Sequence, residues 1–121
     1  NLGNPHAVCF VEDIKNFPLV EIGSELQTSS WFPDGINFGI AKTLSSETLE
    51  LRVYERGAGE TLACGSGACA AVVAGNEMNL LTKNVEVIFK EGSLKVEYSK
   101  ENGELLAVGP ANYMNQLSLE I

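Results

Sequence analysis

At 121 residues the chain has the length of one ordinary domain, enough to bury roughly two-thirds of its unfolded surface in a single core and too short for a second. A formal net charge of −8, with acidic side chains outnumbering basic ones two to one, argues against a surface that tracks nucleic-acid phosphates, which needs clustered cations. No apolar run approaches the roughly 18 residues that cross a bilayer, and no signal-peptide succession opens the chain. Neither nucleic acid nor membrane is therefore expected as a partner.

Three cysteines cannot all pair within one chain, and they lie among Ala, Val and Gly rather than in a disulfide-dense frame. Reduced thiols and a cytoplasmic location are the expectation. The opening Asn1-Leu2-Gly3-Asn4-Pro5 carries no Met and passes at once into an apolar run, which reads as a fragment or processed piece of a longer protein.

Residues 6–11, His-Ala-Val-Cys-Phe-Val, are short, apolar and rich in strand formers, and predict a strand ending at Glu12-Asp13. A helix is expected to follow. Asn16 suits its cap, Pro18 its first turn, and Leu19, Ile22 and Leu26 recur near helical spacing. Trp31-Phe32-Pro33-Asp34-Gly35 supplies turn chemistry to end it. Ile36, Phe38 and Ile40 then alternate into a second strand. Residues 48–55 give the cleanest strand, with Leu49, Leu51 and Val53 on one face and Glu50, Arg52 and Tyr54 on the other.

The glycines of residues 56–67 exclude regular structure until Ser66. Beyond Gly67 the chain is Ala, Cys, Val and Met almost without interruption to Met78. A helix apolar on every side must be buried on every side, so it is expected at the centre of the domain. Short strands return at 85–89, 94–98, 105–109 and 114–119, joined by glycine turns. The fold class expected is α+β: an antiparallel or mixed sheet wrapped as a barrel around one buried apolar helix, with residues 1–121 forming a single domain.

Cys64 stands just before that helix and is followed by Gly65-Ser66-Gly67. The first N–H groups of a helix have no intrahelical partner and carry partial positive charge. They would stabilise a thiolate, lowering the thiol pKa toward neutrality, and would also receive a substrate carboxylate. A group that must both take and give a proton works best with such a pKa. Cys69 and Cys9 read instead as small core residues. Two cysteines five apart with one His give neither the ligand count nor the spacing of a zinc site, so no metal is expected.

His6 follows a turn and Glu55-Arg56 closes the cleanest strand. If the strand ends converge, His6 and Glu55 form a hydrogen-bonded pair that adjusts the proton affinity of Cys64, while Arg56 and Asn4 hold a carboxylate and an amino group. Gly57-Ala58-Gly59 and Gly65-Ser66-Gly67 lack the Lys and the full fingerprint of a nucleotide loop.

Gly3-Asn4-Pro5-His6, Phe32-Pro33-Asp34-Gly35-Ile36-Asn37, Tyr54-Glu55-Arg56-Gly57-Ala58-Gly59-Glu60-Thr61 and Leu62-Ala63-Cys64-Gly65-Ser66-Gly67-Ala68-Cys69-Ala70 together resemble, in order and spacing, the second half of diaminopimelate epimerases. Gly109-Pro110-Ala111 fits that family's closing strand pair. The resemblance covers essentially the whole chain. It implies an isomerase, independent of pyridoxal phosphate or any other cofactor, that interconverts LL- and meso-diaminopimelate on the route to lysine. Two cysteines act on opposite faces of the substrate α-carbon in that family, and Cys64 matches the second of them. On the same basis Asn4, Asn37, Glu55, Arg56, Gly65 and Ser66 match substrate contacts, and His6 with Glu55 matches the pair that tunes the cysteine. Ser66 stands where Thr is usual and keeps the hydroxyl. The first catalytic cysteine of the family has no counterpart here, so the implied partner is an amino-terminal half of the same enzyme, with a homodimer as a further option. The chain alone is then expected to be inactive.

Three other readings stand beside this one. They are another cofactor-independent racemase acting on proline or histidine, a non-catalytic half-domain that binds amino acids, and a cysteine hydrolase in which His6 would contact Cys64 directly.

Overall fold

The computed structural model describes residues 5–62 and 64–109, together with the backbone of the strand Met114–Ser118. The elements run β1 (His6–Phe10), α1 (Leu19–Gln27), β2 (Asn37–Ser45), β3 (Thr48–Glu55), β4 (Gly59–Thr61), α2 (Gly65–Glu77), β5 (Asn84–Phe89), β6 (Gly92–Ser99), β7 (Glu104–Val108) and β8 (Met114–Ser118). This is an α+β fold with one mixed sheet in the order β1-β2-β3-β5-β6-β7-β8, and β4 lies on β3. The β1–β2 and β3–β5 pairs are parallel, and the others are antiparallel.

The core explains why α2 lacks a polar face. Ala68, Cys69, Ala71 and Val72 are each 0% exposed and pack with Leu49, Leu51, Val53, Val85, Val87, Phe89, Val96, Tyr98, Leu105 and Ala107. The helix touches β1, β2, β3, β6 and β7, so the sheet curls about it. Complete closure into a barrel would pair β1 with β8. Among the described residues the pairing runs from one to the other and stops there. Small residues let the strands approach the helix closely, and a side chain at Gly75 would run into Leu81. Each fully buried valine in this layer contributes roughly 1.5–3 kcal/mol by leaving water.

β2 is buried on both faces because α1 covers its outer side. Ile14, Leu19, Phe38 and Ile40 form a second cluster, with Ile22, Leu26 and Tyr54 packed against it. Gly23 permits this approach, since a Cβ there would lie 2.5 Å from the Tyr54 ring. The face assignment along β3 follows the sequence alternation. Leu49, Leu51 and Val53 are buried in the main core, while Arg52 points outward to bind Glu60 through two hydrogen bonds, at 2.8 and 2.9 Å. Its remaining amine donates to the Ile14 and Phe17 carbonyls at 2.7 and 3.1 Å. The incoming loop is thereby fastened to the sheet.

Four local expectations are corrected. Asn16 does not cap α1: its N–H and amide donate to the Asp13 carboxylate, and Pro18 occupies the cap position with no side-chain hydrogen bond. Cys9 is exposed rather than buried, and it lies in β1, at one end of the described sheet order. The stretch expected to be irregular contains β4, and α2 starts at Gly65, one residue early. The strand expected at 114–119 is present as Met114–Ser118, its last residue lying outside the described residues, as do Pro110 and Ala111.

Candidate functional site

Strand register brings the expected residues to one end of the sheet. His6 lies opposite Asn37 across the parallel β1–β2 pair, and Phe38 opposite Tyr54 across β2–β3. One step outward from that second pair, Asn37 and Glu55 meet at the strand ends. Asn37 is 8% exposed, and its side-chain oxygen accepts the Arg56 backbone N–H at 2.7 Å. A buried amide without such a partner would cost about 1–3 kcal/mol. This bond locks the start of β2 to the end of β3.

The chain then doubles back. Gly57 and Gly59 adopt φ of 83° and 82°, a left-handed conformation that favours glycine, and the Ala58 N–H bonds the Glu55 carbonyl at 3.0 Å. β4 therefore folds antiparallel onto β3, with Glu55 opposite Gly59 and Val53 opposite Thr61. The Thr61 hydroxyl donates to the Glu55 carboxylate at 2.6 Å. Sequence reasoning missed Thr61 as a site residue. The signal was the threonine two positions beyond the second glycine of a tight turn, where it can face the preceding strand.

From β4 the chain reaches Cys64, the N-cap of α2, in an extended conformation with φ −148° and ψ 106°. Its carbonyl accepts the first intrahelical bond from the Ala68 N–H at 2.9 Å. Its sulfur accepts the Gly67 N–H at 3.2 Å and lies 3.5 Å from the Ser66 hydroxyl. The thiol thus does what Ser or Asp does at an ordinary N-cap. Gly67 makes room for it: a Cβ there would sit 2.9 Å from a Val53 methyl and 3.2 Å from the Cys64 sulfur. Ahead of that first bond, the N–H groups of Gly65 and Ser66 belong to the unpaired opening of the helix.

Electrostatics correct one expectation. Burial pushes the Cys64 thiol above its ordinary value; the Ser66 hydroxyl and Gly67 N–H pull it back, and the Glu55 charge and hydrogen bond push it up again. The expected lowering toward neutrality is overturned because Cys64 is only 8% exposed and desolvation is the largest influence on its thiol. Two hydrogen bonds do not return what desolvation and a neighbouring carboxylate take away. Burial also holds His6 below its usual value, opposed by attraction to Glu55. Glu55 therefore acts electrically on both His6 and Cys64. The hydrogen bond expected between His6 and Glu55 is not formed among the described residues, where Glu55 takes Thr61 instead. No hydrogen bond joins His6 to Cys64 there either.

Arg56 is exposed, and its guanidinium donates to the Asp34 carbonyl at 3.0 Å. It lines a cleft of about 680 Å³ with Gln27, Pro33, Asp34, Gly35, Tyr54 and the Gly57-Ala58-Gly59 turn. Cys64 does not line this cleft; Glu55 and Arg56, adjacent in the chain, connect the two. Asn4 lies outside the described residues. No group of three or more His, Cys, Asp or Glu gathers to hold a metal among the described residues, and no helix there is long and apolar enough to cross a membrane.

The family profile of diaminopimelate epimerase matches residues 1–114. A diaminopimelate epimerase of Buchnera aphidicola is 45% identical over 111 residues, covering 92% of this chain and 39% of the relative. One from Chromobacterium violaceum is 41% identical over all of this chain and 44% of its own length. The chain thus spans about two-fifths of the curated relatives it matches. Among solved structures, a phenazine biosynthesis protein of the PhzF family from Bacillus anthracis superposes with a TM-score of 0.60 at 22% identity, covering 88% of this chain and 34% of that one. That likeness concerns the fold.

Proposed function

Because this chain belongs to the diaminopimelate epimerase family, we propose that it is the carboxyl-terminal half, folded as one domain over residues 1–121, of a cytoplasmic enzyme that interconverts LL- and meso-diaminopimelate. Cys64 supplies one of its two proton-transfer groups. The observation that carries this reading is the Cys64 sulfur seated against the leading amide of α2, with the Glu55 charge acting on it from the strand end.

Proton transfer then divides by protonation state. A thiol held above its ordinary value rests protonated, so Cys64 is prepared to give its proton to one face of the α-carbon after the base on the opposite face has taken one. The sulfur that remains is a thiolate, stabilised by the Gly67 N–H and the Ser66 hydroxyl. In the reverse direction that thiolate is the base. The free N–H groups of Gly65 and Ser66 bind the α-carboxylate, whose charge suits a helix start. Asn37, Arg56 and Asn4 recognise the rest of the substrate. Burial and the Glu55 charge together keep the thiol protonated between turnovers, and His6, which burial holds below its usual value, stands beside that carboxylate as a neutral imidazole.

The opposing base and the other wall of the cleft belong to an amino-terminal half. Without it a two-base inversion has one thiol, and the isolated chain is inactive. Closure of the sheet as a barrel around α2, and pairing of whole enzymes as a homodimer, are part of the same reading.

The test is exchange of the substrate α-hydrogen with deuterated water, followed by NMR for the full-length protein, its Cys64→Ala variant and the 121-residue chain alone. Exchange is expected with the full-length protein, to fall by about 10²–10⁴ in the variant, and to be undetectable with the chain alone. Undiminished exchange in Cys64→Ala would remove the base and leave an amino-acid-binding half-domain as the better account.

A further inference from the structure

We propose that Gln27, at the last turn of α1, is a positioning residue that sets Asn37 and Arg56 for substrate; the inference rests on the epimerase reading for what those two residues bind. Its side-chain amide grips Ile36 through the two peptide groups that flank that residue. The amide oxygen accepts the Ile36 N–H at 3.0 Å, and the amide nitrogen donates to the Ile36 carbonyl at 2.7 Å. A third bond, from the nitrogen to the Gly23 carbonyl at 3.0 Å, anchors the side chain to its own helix. With a donor and an acceptor each matched, the amide can adopt one orientation only. The effect is that of one extra strand residue laid beside Ile36.

Asn37 is the next residue. Its side chain is buried and holds the Arg56 N–H, so the position of the Ile36 peptide passes directly to the Arg56 backbone. Arg56 closes the loop from the other side through the Asp34 carbonyl. Gly35 lies between the two grips with φ 84°. A Cβ there would meet the Gln27 oxygen at 2.6 Å and the Arg56 side chain at 2.8 Å. The turn at 33–36 is thus squeezed between Gln27 and Arg56, and both line the same cleft. Among the described residues, Gln27 is the α1 side chain that hydrogen-bonds to the turn at 33–36.

Gln27→Met keeps the length and removes both grips; Gln27→Glu keeps the acceptor for the Ile36 N–H and loses the donor. Two arms separate the proposal from the function it rests on. Amide hydrogen exchange on this chain reads the clamp without any substrate: in Gln27→Met the Ile36 and Arg56 amides are expected to exchange about tenfold faster, the worth of roughly one hydrogen bond, with Val96 and Ala107 unchanged and Gln27→Glu intermediate. Steady-state kinetics of the full-length protein read its purpose: KM for diaminopimelate rises about tenfold while kcat stays within about threefold, the mark of lost binding rather than lost chemistry. Leu26→Ala, which loosens the same helix without touching the clamp, lowers the melting temperature and leaves KM alone.

Wild-type exchange at Ile36 and Arg56 in Gln27→Met would overturn the proposal, and so would faster exchange with unaltered KM. If the wild-type protein proved unable to turn over diaminopimelate, the epimerase reading would fall, and the exchange arm would still decide whether Gln27 positions Asn37 and Arg56.

Discussion

The opening turn of α2 and its body each hold a cysteine, and the two thiols differ far more in hydrogen bonding than in burial. Cys64 is 8% exposed and Cys69 is 0% exposed, so both are core residues by area. In the body, burial and the nearby Cys64 charge push Cys69 from 9.0 to about 11. At the opening, the same desolvation acts on Cys64, but a hydroxyl and a leading amide oppose it. Inside a helix the N–H groups are already committed to carbonyls one turn back, so a thiolate there finds no backbone donor. One turn earlier those donors are free. A sulfur placed there has donors for its thiolate inside a packed core, while five residues on the thiol is pushed up to about 11.

The strongest way to break this comparison is to substitute both positions. Cys64→Ser is expected to cost about 10²–10⁴ in α-hydrogen exchange by the full-length protein, with little loss of stability, because a serine at an N-cap is well accommodated. Cys69→Ser should do the reverse, losing about 1–3 kcal/mol for an ill-satisfied buried hydroxyl, measured by denaturant unfolding, and keeping exchange in the folded protein. Equal losses of exchange in both variants would erase the distinction.

Gly67→Ala sharpens the contrast at the next level. The added methyl must displace either Val53 or the Cys64 sulfur, at about 1–3 kcal/mol of overpacking. Loss of the Gly67 bond should also raise the Cys64 thiol further, which thiol titration on the variant would detect. An unperturbed thiol would mean that the amide contact is incidental.

The pH dependence of stability has a definite sign. Both thiols are held above their unfolded values, so the folded chain favours their protonated forms, and the stability this contributes is complete below the unfolded thiol pKa. It is lost as pH rises through the folded values. For Cys69 the window runs from 9.0 to about 11, worth roughly 3 kcal/mol across it. Urea unfolding between those limits should show a decline that is smaller in Cys69→Ala. Glu55→Gln gives the mildest effect: without the carboxylate the Cys64 thiol should titrate lower, and His6 should fall further below its usual value. Chemical shifts of the two side chains would report both movements.

Much of the framework behind these sites was legible because its signals are local. The alternation in residues 48–55 gave the buried face of β3, and the unbroken Ala, Cys and Val run marked α2 as central. What stayed hidden depends on partners distant in sequence or on summed environment. β4 lies in a glycine-rich stretch with no apolar pattern, since it is held by pairing with β3 rather than by burial. Cys9 sits in an apolar run identical in kind to a core strand, yet it alone of that strand is exposed. Gln27 looks like any polar residue closing a helix, its partner being nine residues away. The helix-start donors beside Cys64 were visible, but the desolvation that outweighs them came from strands elsewhere in the chain.

The most direct test of the contrast is the pH dependence of thiol alkylation by iodoacetamide on the folded chain, resolved by residue with mass spectrometry. Cys9 should react first, and Cys64 should react with a midpoint above that of an ordinary thiol. Cys69 should stay unmodified until the chain unfolds. If Cys69 were labelled alongside Cys64, or if Cys64 stayed as inert as Cys69 throughout, the opening turn of α2 would not set the two thiols apart.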